Sequence, residues 1–209
     1  MNITRNTQAR RQRGFTLIEM IGVLAIIAVL AGMLVPRVFS AINDSRINST
    51  VMSVNGVKSA AMLYFGKYGK FAALNGAALT LATTTATNWD QTVLVSEGFL
   101  DKPFEAKMGT EASTAVEVVA AVSAATTVTE TNAGFDFDGT ATTNEAGGGS
   151  VVVQIRLPGL ALDDANAINK ALDGQSVVAI ASGGTDTTGR VKVNHVSGVY
   201  DLLIYVAHK

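Results

Sequence analysis

Cysteine is absent from this chain of 209 residues, and it holds two histidines, one tryptophan and three prolines. Without cysteine there is no disulfide framework, no thiolate nucleophile and no thiolate metal site, and the redox compartment is not legible. The only imidazoles are His195, on the polar side of an alternating segment, and His208, next to the last residue. Both are expected to face solvent. No H-E-x-x-H spacing occurs, and serines such as Ser96 and Ser182 lack the glycine-flanked setting of a nucleophile elbow. The expectation is a protein that is not an enzyme, with no cofactor and no metal.

Charge is also scarce, at 16% of residues with a formal net of −1, and it is unevenly placed. Arg5, Arg10, Arg11 and Arg13 are the only charges among the first fourteen residues. Removing those four leaves 12 basic residues against 17 acids, a net charge of −5. A mildly acidic remainder is a poor general binder of phosphate, so no nucleic-acid partner is expected. The length allows one globular domain plus a long extra element rather than two independent cores.

What the sequence has in abundance lies near its start. From Phe15 to Val35 it reads FTLIEMIGVLAIIAVLAGMLV, 21 residues in which Glu19 is the only charge. As a helix this run spans roughly 31 Å, against a hydrocarbon thickness of about 30 Å. The arginines ahead of it predict a cytoplasmic N-terminus and export of everything after Val35. The run is too long for the apolar region of an ordinary secretory signal, although Val38 and Ser40 loosely imitate a cleavage site. A plain signal anchor fits the length and the flanking charge equally well. Neither accounts for Glu19, since an acidic side chain within a membrane helix costs about 2.5–3.5 kcal/mol at the centre and less toward the ends.

The segment Gly14-Phe15-Thr16-Leu17-Ile18-Glu19 resembles the processing site of type IV prepilins and of the pseudopilins of type II secretion. That resemblance implies a membrane prepilin peptidase that cuts between Gly14 and Phe15 and methylates the new amine on Phe15. It also implies a partner for Glu19, the positively charged N-terminal amine of a neighbouring subunit. An ammonium and a carboxylate attract strongly in a low dielectric, and either one unpaired is heavily penalised. Gly22 and Gly32 allow close helix approach, a common property of bilayer helices. Pro36 closes the apolar run and is expected to kink or loosen the helix. In the family a similar helix break melts on assembly.

Beyond Pro36 an apolar stripe of Val38, Ile42, Ile47, Val51, Val54, Val57, Ala61 and Phe65 continues at spacings mostly of three and four, which predicts a half-buried amphipathic helix ending near Gly66-Lys67-Tyr68-Gly69. Residues 70–150 are Thr-, Ala- and Gly-rich and read as solvated loops and short irregular elements. Within them LVSEGFLDKPFE loosely resembles the loop joining helix to sheet in pseudopilins. Strands are predicted at 151–157, 190–196 and 202–206. Between the first two, a short helix capped by Asp163 should turn Ala165, Ile168 and Leu172 inward and stop at Gly174. Asp136-x-Asp138-Gly139 with Glu145 hints at a calcium loop, but its spacing does not fit an EF-hand and a solvated turn is expected. Phe135 and Phe137 read as inward-facing strand residues, and Trp89 and the tyrosines as core. The threonine tracts at 80–87 and 140–143 are candidate acceptors for O-linked sugars.

The fold expected is α+β, with a long N-terminal helical spine packed against a mostly antiparallel sheet. Its divisions are a basic leader at 1–14, a helix at 15–68 with a transmembrane part at 15–35, and an exported domain at 69–209. The function expected is that of a structural subunit of a type IV pilus or type II secretion filament in the bacterial inner membrane. Its N-terminus would be cytoplasmic and its globular domain periplasmic or extracellular. The partners expected are further copies of itself, related minor pilins, the prepilin peptidase and an inner-membrane assembly platform. The alternative is a single-pass, membrane-anchored periplasmic ligand-binding domain.

Overall fold

The computed structural model describes residues 14–72, 87–110, 114–120, 128–129, 133–137, 150–174 and 180–209. The chain divides into two compact units, Met1–Asn43 and Asp44–Lys209. Helix α1 runs from Leu17 to Tyr68, 52 residues, with mean hydropathy of 2.6 over its most apolar stretch and enough length to cross a bilayer. It passes through Pro36 without a break, although proline has no N–H to give the carbonyl one turn back. The Ser40 hydroxyl bonds the Pro36 carbonyl at 3.2 Å. The helix stops at Tyr68 because Gly69 takes φ +66°, a left-handed conformation open to glycine, and its N–H closes on the Phe65 carbonyl at 2.7 Å.

In the unit starting at Asp44, α1 buries Ile47, Thr50, Val54, Val57, Ala60, Ala61 and Tyr64, a stripe at spacings mostly of three and four. This stripe differs from the one expected. Tyr64 is fully buried where Phe65 is only partly so, Thr50 joins the core, and Val38 and Ile42 are exposed. Thr50 tolerates burial because its hydroxyl bonds the Arg46 carbonyl at 3.0 Å.

Four strands form one antiparallel sheet: β1 (Ala115–Ala120), β2 (Val151–Leu160), β3 (Val191–Val196) and β4 (Val199–His208), in the order β1-β2-β4-β3. This bears out the α+β expectation. Strand β1 corrects the reading of 70–150 as loop: Val116 and Val118 point into the core and Glu117 pairs across the sheet with Gln154. The π-helical turn Asp90–Val95, which buries Val93 and Leu94, is one of the short irregular elements expected there. Between β3 and β4, Ser197 (φ +50°) and Gly198 (φ +90°) make a two-residue turn with both residues left-handed, the geometry whose twist suits a hairpin.

Helix α2 (Leu162–Asp173) carries the chain from β2 to the far edge strand β3, so that β4 can insert between them. It buries Ala165, Ile168 and Asn169 and ends at Gly174. Asp163 does not cap it; the cap position is Ala161 and Asp163 is exposed in the first turn, where a carboxylate still complements the helix dipole.

One face of the sheet, including Val153, Ile155, Leu157, Leu202 and Ile204, builds the main core with the buried stripe of α1, and with Trp89, Leu94 and Ile168. The other face is also covered: Phe135, Val152 and Leu203 form a second cluster with Tyr205 against it. Lys192 is fully buried there, giving a hydrogen bond to the Thr129 carbonyl at 3.0 Å and lying 4.6 Å from the centre of the Phe135 ring. Gln154 donates to the buried Glu117 carboxylate at 3.0 Å. Strand β2 is therefore buried on both sides, which removes the clean alternation of a half-exposed strand.

Candidate functional site

The residues singled out at the N-terminus share one short segment. Gly14, Phe15 and Thr16 precede the helix and are exposed, Phe15 at 83%, and nothing lies within 4 Å of where a side chain on Gly14 would begin. A peptide bond at Gly14–Phe15 in this setting is open to an enzyme. From Leu17 to Val35 the large apolar side chains are all exposed, so the protein itself offers them no burial. Such a surface suits lipid or other apolar helices.

Glu19 closes the helix start. Its Oε2 accepts the Thr16 backbone N–H at 2.8 Å and the Thr16 hydroxyl at 2.9 Å, while the Glu19 N–H reaches the Thr16 hydroxyl oxygen at 3.4 Å. This is a capping box, in which a threonine and the glutamate three residues on satisfy each other's backbone donors. Sequence reasoning missed Thr16, although the signal T-x-x-E ahead of an apolar run was present in it.

Residues 9–35 match the family model of the prokaryotic N-terminal methylation motif. The chain carries the type IV pilin and pseudopilin signature. The matched stretch runs from the end of the arginine-rich leader through Gly14, Phe15 and Glu19 to the last residue of the apolar run. No curated protein matches the chain, and no solved structure does. A pilin-type motif on a single apolar N-terminal helix fits a membrane-anchored protein.

The remaining candidates in this pilin-like chain are scattered. His195 is partly buried, its ring 5.0 Å from that of Tyr200, and His208 is exposed with Nδ1 2.6 Å from the Tyr205 hydroxyl. Burial pushes the Tyr205 hydroxyl above the ordinary tyrosine range. The two imidazoles are far apart along the sheet: His195, on β3, pairs with Tyr200 near the start of β4, and His208 is the last residue of β4. Asp136 is fully buried, whereas Asp138, Gly139 and Glu145 fall outside the described residues, as do the threonine tract at 140–143 and most of that at 80–87. Among the described residues no three His, Asp or Glu side chains cluster in a way that could hold a metal. Phe135 is buried and stacks on Phe137, which is 38% exposed; the pair sits beside the single bridge Asp136–Thr188 rather than in a strand.

The segment following the π-helical turn is tied to the end of α1. Glu97 accepts from the Tyr68 hydroxyl at 2.5 Å and pairs with Lys67 at 3.4 Å. The Tyr68 hydroxyl first, then Glu97, hold the Lys67 ammonium above its ordinary range. An open groove of about 450 Å³ runs along α1 at Ser49, Ser53 and Gly56, walled by Leu100–Phe104. None of the sequence-predicted site residues lines it.

Proposed function

We propose that the chain is a structural subunit of a membrane-assembled filament, a type IV pilus or a type II secretion pseudopilus. It is cut between Gly14 and Phe15, methylated on the Phe15 amine, and joined to its neighbours through α1. The observation that carries this reading is the single carboxylate, Glu19, exposed on a helix surface that is otherwise apolar from Phe15 to Val35. In the bilayer that carboxylate pairs with the ammonium of Phe15 on a neighbouring copy, and the apolar helices exchange lipid contacts for contacts with one another. Pro36, helical in the isolated chain, is the position where α1 loosens on assembly.

Processing falls to the prepilin peptidase and assembly to an inner-membrane platform together with related minor pilins. The N-terminus stays cytoplasmic, and the domain beyond Val35 faces the periplasm or the exterior. Lack of cysteine departs from the disulfide-closed C-terminal loop of many major pilins and favours a pseudopilin-like subunit or an unusual pilin.

Replacing Glu19 by Gln tests the reading. E19Q chains should insert and be cleaved normally but form no filaments, and the mature mass should lack Met1 to Gly14 and carry one added methyl group. Normal abundance of filaments that contain E19Q would sink the Glu19–Phe15 pairing, while filaments that contain neither the parent chain nor E19Q would sink the filament reading and leave an anchored ligand-binding domain.

A further inference from the structure

Beyond Asp44, α1 turns one side to the core and another to solvent. By the angular spacing of an α-helix, Met52, Asn55, Ser59, Met62, Leu63 and Gly66 share a side away from the buried Val54, Val57 and Ala61, and every one of them is exposed and uncharged. Met52 is 73% exposed, Met62 48% and Leu63 63%. Large apolar side chains gathered on one uncharged side of a unit that has its own core are the mark of a contact surface. Methionine suits such a surface because its unbranched side chain adapts to what packs against it.

The groove of about 450 Å³ lies on a different flank of the same helix, between Ser49, Ser53 and Gly56 on one wall and Leu100–Glu105 on the other. Gly56 opens it: nothing lies within 4 Å of where a side chain there would begin, so no close approach inside this chain calls for glycine. Glycine within a helix is destabilising relative to alanine, and close approach from outside gives it a use. Val57, Leu100, Pro103 and Phe104 supply an apolar lining, and the charged residues beside them are exposed. Lys107 pairs with Glu105 at 3.4 Å, whereas Asp101 and Lys102 make no ion pair among the described residues. Lys58, three residues after Asn55 and four before Met62 at the border of the exposed apolar side, makes none there either. An apolar centre bordered by charge is the ordinary build of a protein interface.

We propose that this groove is a docking site for a second copy of the chain: the Met52, Met62 and Leu63 side of α1 on one copy enters the groove of the next, with Lys58 of the first against Asp101 of the second. The proposal rests on the filament reading above for bringing copies side by side, and adds to it a contact made by the unit beyond Asp44. Groove and apolar side lie on different flanks of one unit, so the contact is heterologous. Each copy gives its apolar side to one neighbour and its groove to another, and contacts of that kind run on as an open row unless the rotation between copies closes a ring. An exposed ion pair adds little affinity. The apolar side therefore supplies most of the attraction, and opposite charges at Lys58 and Asp101 fix the register.

The chain has no cysteine, so an introduced pair meets no competing thiol. The full chain carrying L63C and K102C, treated in membranes with a short bis-maleimide, should give a ladder of dimers, trimers and longer products, because every copy holds one cysteine of each kind. Either single variant, or L63C with K170C on the exposed end of α2, should give at least tenfold less. G56L fills the groove at a point where its own chain leaves room, and in the L63C and K102C background it should lower the ladder at least tenfold. K58D should lower it severalfold, and K58D with D101K should restore it. No ladder from the L63C and K102C pair, an equal ladder from the K170C pair, a ladder undiminished by G56L, or a charge exchange that restores nothing would each overturn the proposal. Crosslinking is read on whole membranes and needs no sheared filaments. Sheared filaments that lack the parent chain would defeat the filament reading, while the ladder would still decide for or against the groove.

Discussion

Trp89 is the largest fully buried side chain. Its ring meets Tyr64 at 5.2 Å and Phe71 at 6.1 Å, both edge-on, and its Nε1–H donates to the Ala72 carbonyl at 2.8 Å. The indole therefore joins the end of α1 to the segment after it by two means, area and a directed hydrogen bond. Beside it Asn88 takes φ +56°, a conformation asparagine tolerates better than most residues, and the Asp90 carboxylate accepts the Phe104 N–H at 2.7 Å. W89F keeps an aromatic ring but leaves the Ala72 carbonyl unpaired, and should cost about 1–3 kcal/mol. W89A removes the ring as well and should cost about 3–5 kcal/mol. Denaturant unfolding followed by circular dichroism measures both, and W89F as costly as W89A would show that the hydrogen bond, not the ring packing, carries the effect. That Trp89 belongs to the core was legible from its chemistry alone. That Lys192 does was not: its neighbours Val191 and Val193 mark it as the polar side of a strand, and only the second cluster over that face makes the side buried.

Strand β2 shows why element boundaries were read short. The sequence pattern stops at Leu157 because Pro158 and Gly159 ordinarily end a strand, yet the strand continues to Leu160 with its register to β4 shifted between Leu157 and Leu160. Pro158 has no N–H to lose at an irregularity, and its carbonyl accepts the Thr110 N–H at 2.8 Å. Gly159 has φ +76°, its N–H donates to Asp201 at 3.0 Å, and a Cβ there would stand 2.2 Å from the Thr110 hydroxyl oxygen. G159A meets both a disfavoured conformation and a clash. The conformational part alone costs about 1–2 kcal/mol, so thermal unfolding should show a lowered midpoint. A midpoint unchanged by G159A would mean that the shifted register relaxes without penalty. Strand β1 escaped notice for another reason: its valines stand among alanines, which favour helix, and threonines, which favour strand, so the local preferences conflict, and its partner β2 begins some thirty residues later in the chain.

At the scale of the molecule, every buried residue of α1 lies at Ile47 or beyond, and the compact unit that holds the sheet begins at Asp44. A fragment of residues 44–209 should therefore fold as a soluble domain and unfold cooperatively, with Trp89, its single tryptophan, as the fluorescent reporter. A fragment that aggregates, or shows no cooperative transition, would mean that the first unit contributes to the stability of the second. The N-terminal unit was readable from sequence because its properties are local: a run length, a lone carboxylate and a cleavage-type dipeptide need no distant partner to acquire their meaning. The domain beyond was readable in class, as α+β with an antiparallel sheet, and in the approximate places of β2, α2, β3 and β4. Whether Tyr64 or Phe65 turns inward, whether Lys192 is wet or dry, and whether β2 ends at Leu157 or Leu160 depend on which segments come to lie against them. Those contacts join residues far apart in sequence, so the tertiary structure decided them.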